Sequence, residues 1–301
     1  MEWLASHAAA IGSALLAAFF AAVGIVVRQR AIQAEAENSA TSGAIVTSWM
    51  RQPAWWFGTL GAVGGYLFQA LALAHGSLLL VQPLLVSSLL FVLPLGARFS
   101  NQHVRGRDWG WALLLIAALT VFVLVGQPRE GHYRAPVPAW SVALSTSLPV
   151  VIICVLAARR VAGRRRAMLL AGGVAVLLGM VAVLTKVSTH RLVVHGWHGL
   201  LTVPAPYLLV ALAVAVTVLQ QSAFHAGALQ ASVPIMMVGE PVVAVMLGVV
   251  ILGEHLVVRG AGTLILAVAV AAMTAATIAL GRDSATPDRA PEPSAEPEMS
   301  R

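Results

Sequence analysis

Nine apolar runs, each about 20 residues long, constrain this 301-residue chain more than any other feature. A helix rises about 1.5 Å per residue, so about 20 apolar residues cross the hydrocarbon core of a bilayer. We predict membrane-spanning helices, numbered spans 1 to 9, at residues 7–27, 54–74, 77–97, 109–126, 139–158, 167–186, 205–226, 229–252 and 260–281. The sequence therefore predicts an all-α integral membrane protein.

The composition supports the same class. Hydrophobic residues make up 59% of the chain and charged residues only 10%, whereas soluble domains carry about 25% charged residues. A soluble protein with so few polar side chains could not cover its surface with them. Cys154 is the one cysteine, which excludes a disulfide within the chain, and we interpret it as a packing residue.

The basic residues predict the orientation in the membrane. Of the 19 Lys and Arg residues, fourteen lie after spans 1, 3 and 5 or in the C-terminal tail, and five lie on the opposite side. The positive-inside rule assigns the richer side to the cytoplasm. We therefore expect a multi-pass protein of the cell (plasma) membrane, with its N-terminus outside and a disordered cytoplasmic tail at 282–301. The N-terminus lacks the basic region of a signal peptide, so we expect span 1 to be retained.

The sequence contains a weak internal repeat, in which residues 68–103 resemble residues 219–254. A shift of 151 positions aligns five pairs of identical residues, which are Gln69 with Gln220, Ala72 with Ala223, Gly76 with Gly227, Leu78 with Leu229, and Pro83 with Pro234. We therefore predict a membrane domain (1–281) in which repeat one (7–126, spans 1–4) and repeat two (167–281, spans 6–9) flank a linking helix (139–158).

A single linking helix inverts the second repeat relative to the first. Such inverted repeats are common in secondary transporters, where the substrate site lies near the midplane between the halves. The predicted repeat therefore favours transport of a small molecule or ion through the lipid bilayer.

Glu240 is the first candidate site residue, because it lies about eleven residues into span 8, roughly 16 Å deep. A charge at that depth is costly, so the side chain should face other helices or a wet cavity. Burial would favour its protonated form, which suits proton exchange or cation binding. Pro241 follows directly and disturbs the helix there. The alternative is a structural carboxyl group hydrogen-bonded to a neighbouring helix.

Four glutamines are further candidates for binding a solute or coupling ion: Gln69, Gln220, Gln221 and Gln82. Amides bind polar solutes without carrying a full charge. Equally, they join membrane helices through hydrogen bonds of about 0.6 to 2 kcal/mol.

Two other groups of residues have competing interpretations. Lys186 ends the predicted span 6, where it could snorkel to the interface or act as counter-ion of Glu240. His190, His195 and His198 share the predicted outer loop 187–204 with a spacing that could bind zinc. No cysteine or carboxylate accompanies them, so we assign no metal site, no catalytic residue and no cofactor.

Three segments of the chain carry a resemblance to a known family. They are VGIVVRQRAI (23–32), YLFQALALAHGSLLLVQPLL (66–85) and LQQSAFHAGALQASVPIMMVGEPVVAVMLGVVILGEHL (219–256). The ending Gly253-Glu254, followed by Arg259-Gly260, is similar to the repeat signature of the drug/metabolite transporter (EamA-like) superfamily. The chain most resembles its nine-span, NIPA-type branch. Repeat one departs from the signature, because Ser100–His103 stands where the family often has Gly-Glu.

The resemblance implies alternating-access transport. We expect a secondary transporter of a small solute, an exporter or exchanger, that is a monomer or homodimer. Transport of magnesium or another divalent cation, as in NIPA proteins, is one alternative, although Mg²⁺ prefers several hard oxygen ligands. A non-transporting assembly or regulatory partner is another. No HExxH, GxSxG or nucleotide-binding loop is present, so we do not expect an enzyme. Nucleic acid is not an expected partner, since the arginines lie in short loops.

Overall fold

The computed structural model describes residues 6–38, 53–100, 106–131, 137–226, 229–258 and 260–284. Within these ranges, nine helical stretches are long and apolar enough to cross a membrane. They correspond to spans 1 to 9, which confirms the predicted fold class of an all-α, multi-pass membrane protein. Gly227, the predicted repeat partner of Gly76, and almost all of the predicted tail lie outside the described residues.

The observed helices follow the predicted spans, with four differences in length or continuity, one of which is that the helix of span 1 continues to Asn38. In chain order they run Ala8–Asn38, Pro53–His75, Leu78–Leu85 with Ser88–Ser100, Gly106–Gly126, Val137–Ala158, Gly163–Leu201, Ala205–His225, Leu229–Leu247 with the π-helical turn Gly248–Leu252, and Ala261–Ser284. Two short antiparallel strands, β1 (Pro128–Arg129) and β2 (His255–Leu256), pair with each other. This pairing places the 4–5 and 8–9 connections on the same side of the bundle.

Span 6 is the largest difference, because its helix continues to Leu201 where we predicted an outer loop at 187–204. That loop prediction was wrong. The polar His, Ser and Thr residues suggested a loop. In the structure, the Thr189 hydroxyl donates a hydrogen bond to the carbonyl of Thr185, one turn back within the helix. The helix changes direction only at Gly196, whose positive φ of 64° suits glycine.

Span 3 is broken into two helices at Val86 and Ser87, although we predicted one continuous helix. Pro83 lies inside the first helix and cannot donate a backbone hydrogen bond. The α-helical hydrogen-bond pattern then ends, because the N–H groups of Val86 and Ser87 donate to the carbonyls of Pro83 and Leu84, three residues back. The break therefore lies near the middle of span 3.

Span 8 ends in a π-helical turn that is closed by Gly253. Gly253 adopts the left-handed conformation with φ 66°, and its N–H bonds to the carbonyls of Gly248 and Val249. The chain reverses there, which directs the next residue, Glu254, back into the bundle. The start of span 3 is capped by Ser77, whose hydroxyl accepts a hydrogen bond from the N–H of Leu80.

The helices pack in two groups that meet at the centre. Span 1 packs against spans 2 and 3, and span 6 packs against spans 5, 7 and 8. Spans 4 and 9 pack against each other. The main buried cluster includes Leu78 and Leu80 of span 3, Val183 of span 6 and Ile251 of span 8, so the two groups share one core.

Small residues set the distance between spans 1 and 2. A Cβ atom at Gly61 would lie 3.0 Å from the backbone nitrogen of Gly24, and one at Gly24 would lie 2.9 Å from that of Ala62. A Cβ atom at Gly65 would likewise lie 3.0 Å from the backbone nitrogen of Ala21. Membrane helices associate through such small residues because lipid supplies no hydrophobic force between them.

We expect Gly61→Ala to destabilise this helix pair by about 1 kcal/mol, because the added methyl group must displace the span 1 backbone. Thermal unfolding of the purified chain in detergent measures the effect. Gly110→Ala is the matched control, since a Cβ atom there meets no neighbour within 4 Å. An equal change in both variants would show that loss of close packing is not the cause.

Candidate functional site

A cavity of about 370 Å³ lies between spans 1, 2, 3 and 8. Ligand pockets typically enclose about 300–1,000 Å³, so this space suits a small molecule. The lining residues are Ala17, Ala18, Ala21, Ile25, Ala62, Gly65, Tyr66, Gln69, Gln82, Leu85, Val86, Ser88, Leu89, Met237, Glu240 and Pro241. The broken middle of span 3 and the proline-disturbed middle of span 8 therefore face the same space.

Glu240 is the only ionisable side chain among the described residues that line this cavity, apart from the weakly acidic phenol of Tyr66. Its carboxyl group forms no hydrogen bond or ion pair with any other described residue. Pro241 beside it has no N–H, so the carbonyl of Met237, four residues earlier, lacks its helical hydrogen bond. Glu240 and Met237, the residue whose carbonyl is freed, therefore both line the cavity.

Gln69 and Gln82 bring amide groups to the same cavity. Gln82 is only 1% exposed, and its Nε2 has no hydrogen-bond partner among the described residues. A buried amide without a partner costs about 1–3 kcal/mol. Tyr66 also lines the cavity, but its hydroxyl is hydrogen-bonded to the Thr185 hydroxyl at 2.9 Å.

The other two predicted glutamines do not join this group. Gln220 and Gln221 lie on span 7, which contributes no lining residue in the described part of the chain. Gln221 is exposed on the surface of the bundle. The sequence repeat that paired Gln220 with Gln69 therefore does not place the two amides at one cavity.

A second polar centre lies at the start of span 3 and is built around Glu254. One carboxylate oxygen accepts a hydrogen bond from the N–H of Leu78 at 2.9 Å, and the other accepts one from the N–H of Leu79 at 3.0 Å. A carboxylate at this position satisfies unpaired N–H groups and complements the helix dipole. Only the Gly253-Glu254 motif in the sequence pointed to this residue.

Lys186 completes the second centre. Its Nζ lies 3.1 Å from Glu254 and 3.7 Å from Glu130, and it donates a 2.6 Å hydrogen bond to the carbonyl of Gly76. Lys186 is 1% exposed, so the snorkelling interpretation was wrong. It is not the counter-ion of Glu240 either, since these three acceptors surround its ammonium group. The long helix of span 6 carries Lys186 inside the bundle rather than to its end.

The second centre lies directly beyond one end of the cavity. Gln82 follows Leu78 by one helical turn, a rise of about 6 Å. Glu254 is held close to the helices here, since a Cβ atom at Gly248 would lie 3.1 Å from its Oε2. The ion pair therefore lies at the end of the bundle that holds the 75–78 turn.

The histidine cluster gains no support as a metal site. Within the described ranges, no group of three or more His, Cys, Asp or Glu side chains could hold a metal ion. His190, His195 and His198 lie along the helical continuation of span 6 and do not form such a group.

The chain resembles an uncharacterized protein of Corynebacterium glutamicum. The two sequences are 36% identical over 283 residues, which covers 94% of this chain and 98% of the relative. No protein-family model matches the chain, and no solved structure matches it.

Proposed function

The chain belongs to the same protein family as this Corynebacterium glutamicum protein, and we propose that it is a secondary transporter that moves a small solute by alternating access. The observation that carries the proposal is the cavity between spans 1, 2, 3 and 8 with the unpaired Glu240 on its wall. Unpaired carboxyl groups inside membranes are costly and usually serve substrate or ion pathways.

The two polar centres support a gated pathway. The Lys186–Glu254 ion pair closes the bundle at the 75–78 turn, while the cavity begins one helical turn deeper. A transporter that alternates between two open states needs one closed side and one central site in each state. In the proposed mechanism, this conformer has its pathway blocked on the side of the ion pair.

The helix packing supports an inverted repeat and, with it, membership of the drug/metabolite transporter superfamily. Span 1 contacts spans 2 and 3 as span 6 contacts spans 7 and 8, while spans 4 and 9 contact each other. These are the contacts expected if spans 1–4 and 6–9 are equivalent units. The finer proposal of a NIPA-type branch rests on the sequence resemblance alone.

The orientation proposal places the ion pair on the outer face of the cell membrane. The connection between spans 4 and 5 and the connection between spans 8 and 9 are joined by β1 and β2, so they lie on one side of the bundle. This agrees with nine consecutive crossings of the membrane. That side carries the smaller number of basic residues, so the positive-inside rule assigns it to the exterior. The N-terminus would then be outside and the C-terminus in the cytoplasm.

We expect Glu240→Gln to lower solute flux by on the order of tenfold or more, because an amide cannot exchange a proton or pair with a cation. The measurement is uptake into proteoliposomes across a panel of small solutes and Mg²⁺, with and without a proton gradient. Asp108→Asn is the matched control, since Asp108 is a buried carboxyl group outside the cavity.

Two results would contradict the proposal. Unchanged flux and unchanged proton dependence in Glu240→Gln would remove Glu240 from the transport mechanism. No flux of any solute by the wild-type chain would favour a non-transporting membrane partner instead.

A further inference from the structure

We infer that the cavity binds a small solute that carries both a protonated amine and a nearby acceptor oxygen, such as a carbonyl. The inference rests on the proposed function for its physiological meaning, but it concerns binding and can be tested without transport. It follows from the Glu240 carboxyl group and the Gln82 Nε2, which have no partner among the described residues, and from the contacts of Lys186 with other groups.

The charge of the solute follows from Glu240. No Lys, Arg or His lies among the described residues of the cavity wall. The buried ammonium of Lys186 has its own carboxylate at 3.1 Å and a carbonyl at 2.6 Å. A solute anion would therefore meet a carboxyl group and no compensating cation, whereas a solute ammonium would supply the missing partner.

The acceptor oxygen follows from Gln82. This side chain is almost completely buried, lines the cavity, and has an Nε2 without a protein acceptor in the described ranges. A carbonyl oxygen on the solute would accept its hydrogen bond. Sites that hold unpaired polar groups reject solutes that cannot satisfy them, so Gln82 should contribute selectivity as well as affinity.

The apolar character and the size of the solute are inferred from the apolar residues of the cavity wall. Spans 1 and 3 line the cavity with Ala17, Ala18, Ala21, Leu85 and Leu89, all without polar side chains. An apolar body of a few carbon atoms would bury its surface against them. The volume of about 370 Å³ lies at the lower end of the range for ligand pockets, which excludes large conjugates.

Four matched probes test each part of the inference on the full chain purified in detergent. Leucinamide has the amine, the carbonyl and an apolar body; 3-methylbutylamine lacks the carbonyl, 4-methylpentanamide lacks the amine, and 4-methylpentanoate is anionic. Dissociation constants are measured by calorimetry at neutral pH. We expect leucinamide to bind most tightly, loss of the amine to weaken binding at least about tenfold, and the anion not to bind.

Two variants assign the selectivity to residues. Glu240→Gln should abolish the preference for leucinamide over 4-methylpentanamide, and Gln82→Leu should bring leucinamide to the level of 3-methylbutylamine without weakening 3-methylbutylamine. Asp108→Asn should keep the wild-type preferences. Thermal unfolding and gel-filtration profiles that match those of the wild-type chain would exclude misfolding as the cause of any change in binding.

The inference is overturned if neither amine binds, if 4-methylpentanoate binds as well as leucinamide, or if the amine preference survives in Glu240→Gln. Its failure is distinguishable from failure of the proposed function. Amine binding without any flux would remove transport and keep the site, whereas Glu240-dependent flux of an anion would keep transport and remove the inferred solute class.

Discussion

Replacing Lys186 with methionine is expected to destabilise the chain by about 3–5 kcal/mol, the usual effect of removing one partner of a buried ion pair. The substitution keeps the apolar stem but leaves Glu254 buried with the N–H groups of Leu78 and Leu79 as its remaining partners in the described ranges. It also removes the donor to the Gly76 carbonyl. The free energy of unfolding, measured by SDS titration in mixed micelles, reports the change.

The double variant Lys186→Met/Glu254→Gln is the control for this prediction. It removes both charges of the pair, so residue 254 no longer carries a buried carboxylate without its lysine, and the glutamine still accepts a hydrogen bond from the start of span 3. We expect the double variant to be more stable than Lys186→Met alone, which is a non-additive result. Additive losses would mean that the two side chains are not energetically coupled.

The nine spans could be predicted because the bilayer imposes one strong rule on sequence. Every backbone polar group must be satisfied within the membrane, so each apolar run of sufficient length becomes a helix. The runs at 54–74 and 205–226, for example, correspond to helices Pro53–His75 and Ala205–His225. No tertiary information is needed for that prediction.

The ends and breaks of helices were harder to predict, because they depend on contacts between helices. Pro83 precedes the break in span 3, yet Pro149 lies in the unbroken helix of span 5, so a proline alone does not predict a break. Lys186 suggested the end of span 6, since an isolated lysine prefers the interface. Its carboxylate partner, Glu254, directly follows span 8, and sequence spacing does not show that this residue meets span 6.

The cavity was predictable in part. The intramembrane position of Glu240 marked it as exceptional, and the structure places Gln69 and Gln82 around the same cavity. Span 1 was not predicted to contribute, because its lining residues Ala17, Ala18 and Ala21 carry no chemical signal. Gln220 and Gln221 were indistinguishable from the other amides by sequence, and only the helix arrangement separates them.

The crossing of spans 6 and 8 beside Glu240 is the second position where a large effect is expected. A Cβ atom at Gly179 would lie 2.5 Å from Cγ1 of Val243 and 3.0 Å from the backbone nitrogen of Ala244. We expect Gly179→Val to destabilise the chain by about 3 kcal/mol, at the upper end of overpacking effects, because span 8 must move away from span 6. Thermal unfolding in detergent measures this loss.

Movement of span 8 should also disturb the cavity, since Val243 follows Glu240 and Pro241 within one helical turn. Leucinamide binding should therefore weaken in Gly179→Val. Adding Val243→Ala removes the nearest methyl groups, so we expect it to restore part of both stability and binding. Ala244 would still meet the new side chain, which is why the rescue stays incomplete. Wild-type stability in Gly179→Val would mean that spans 6 and 8 do not cross this closely, and the position assigned to Glu240 would then be wrong.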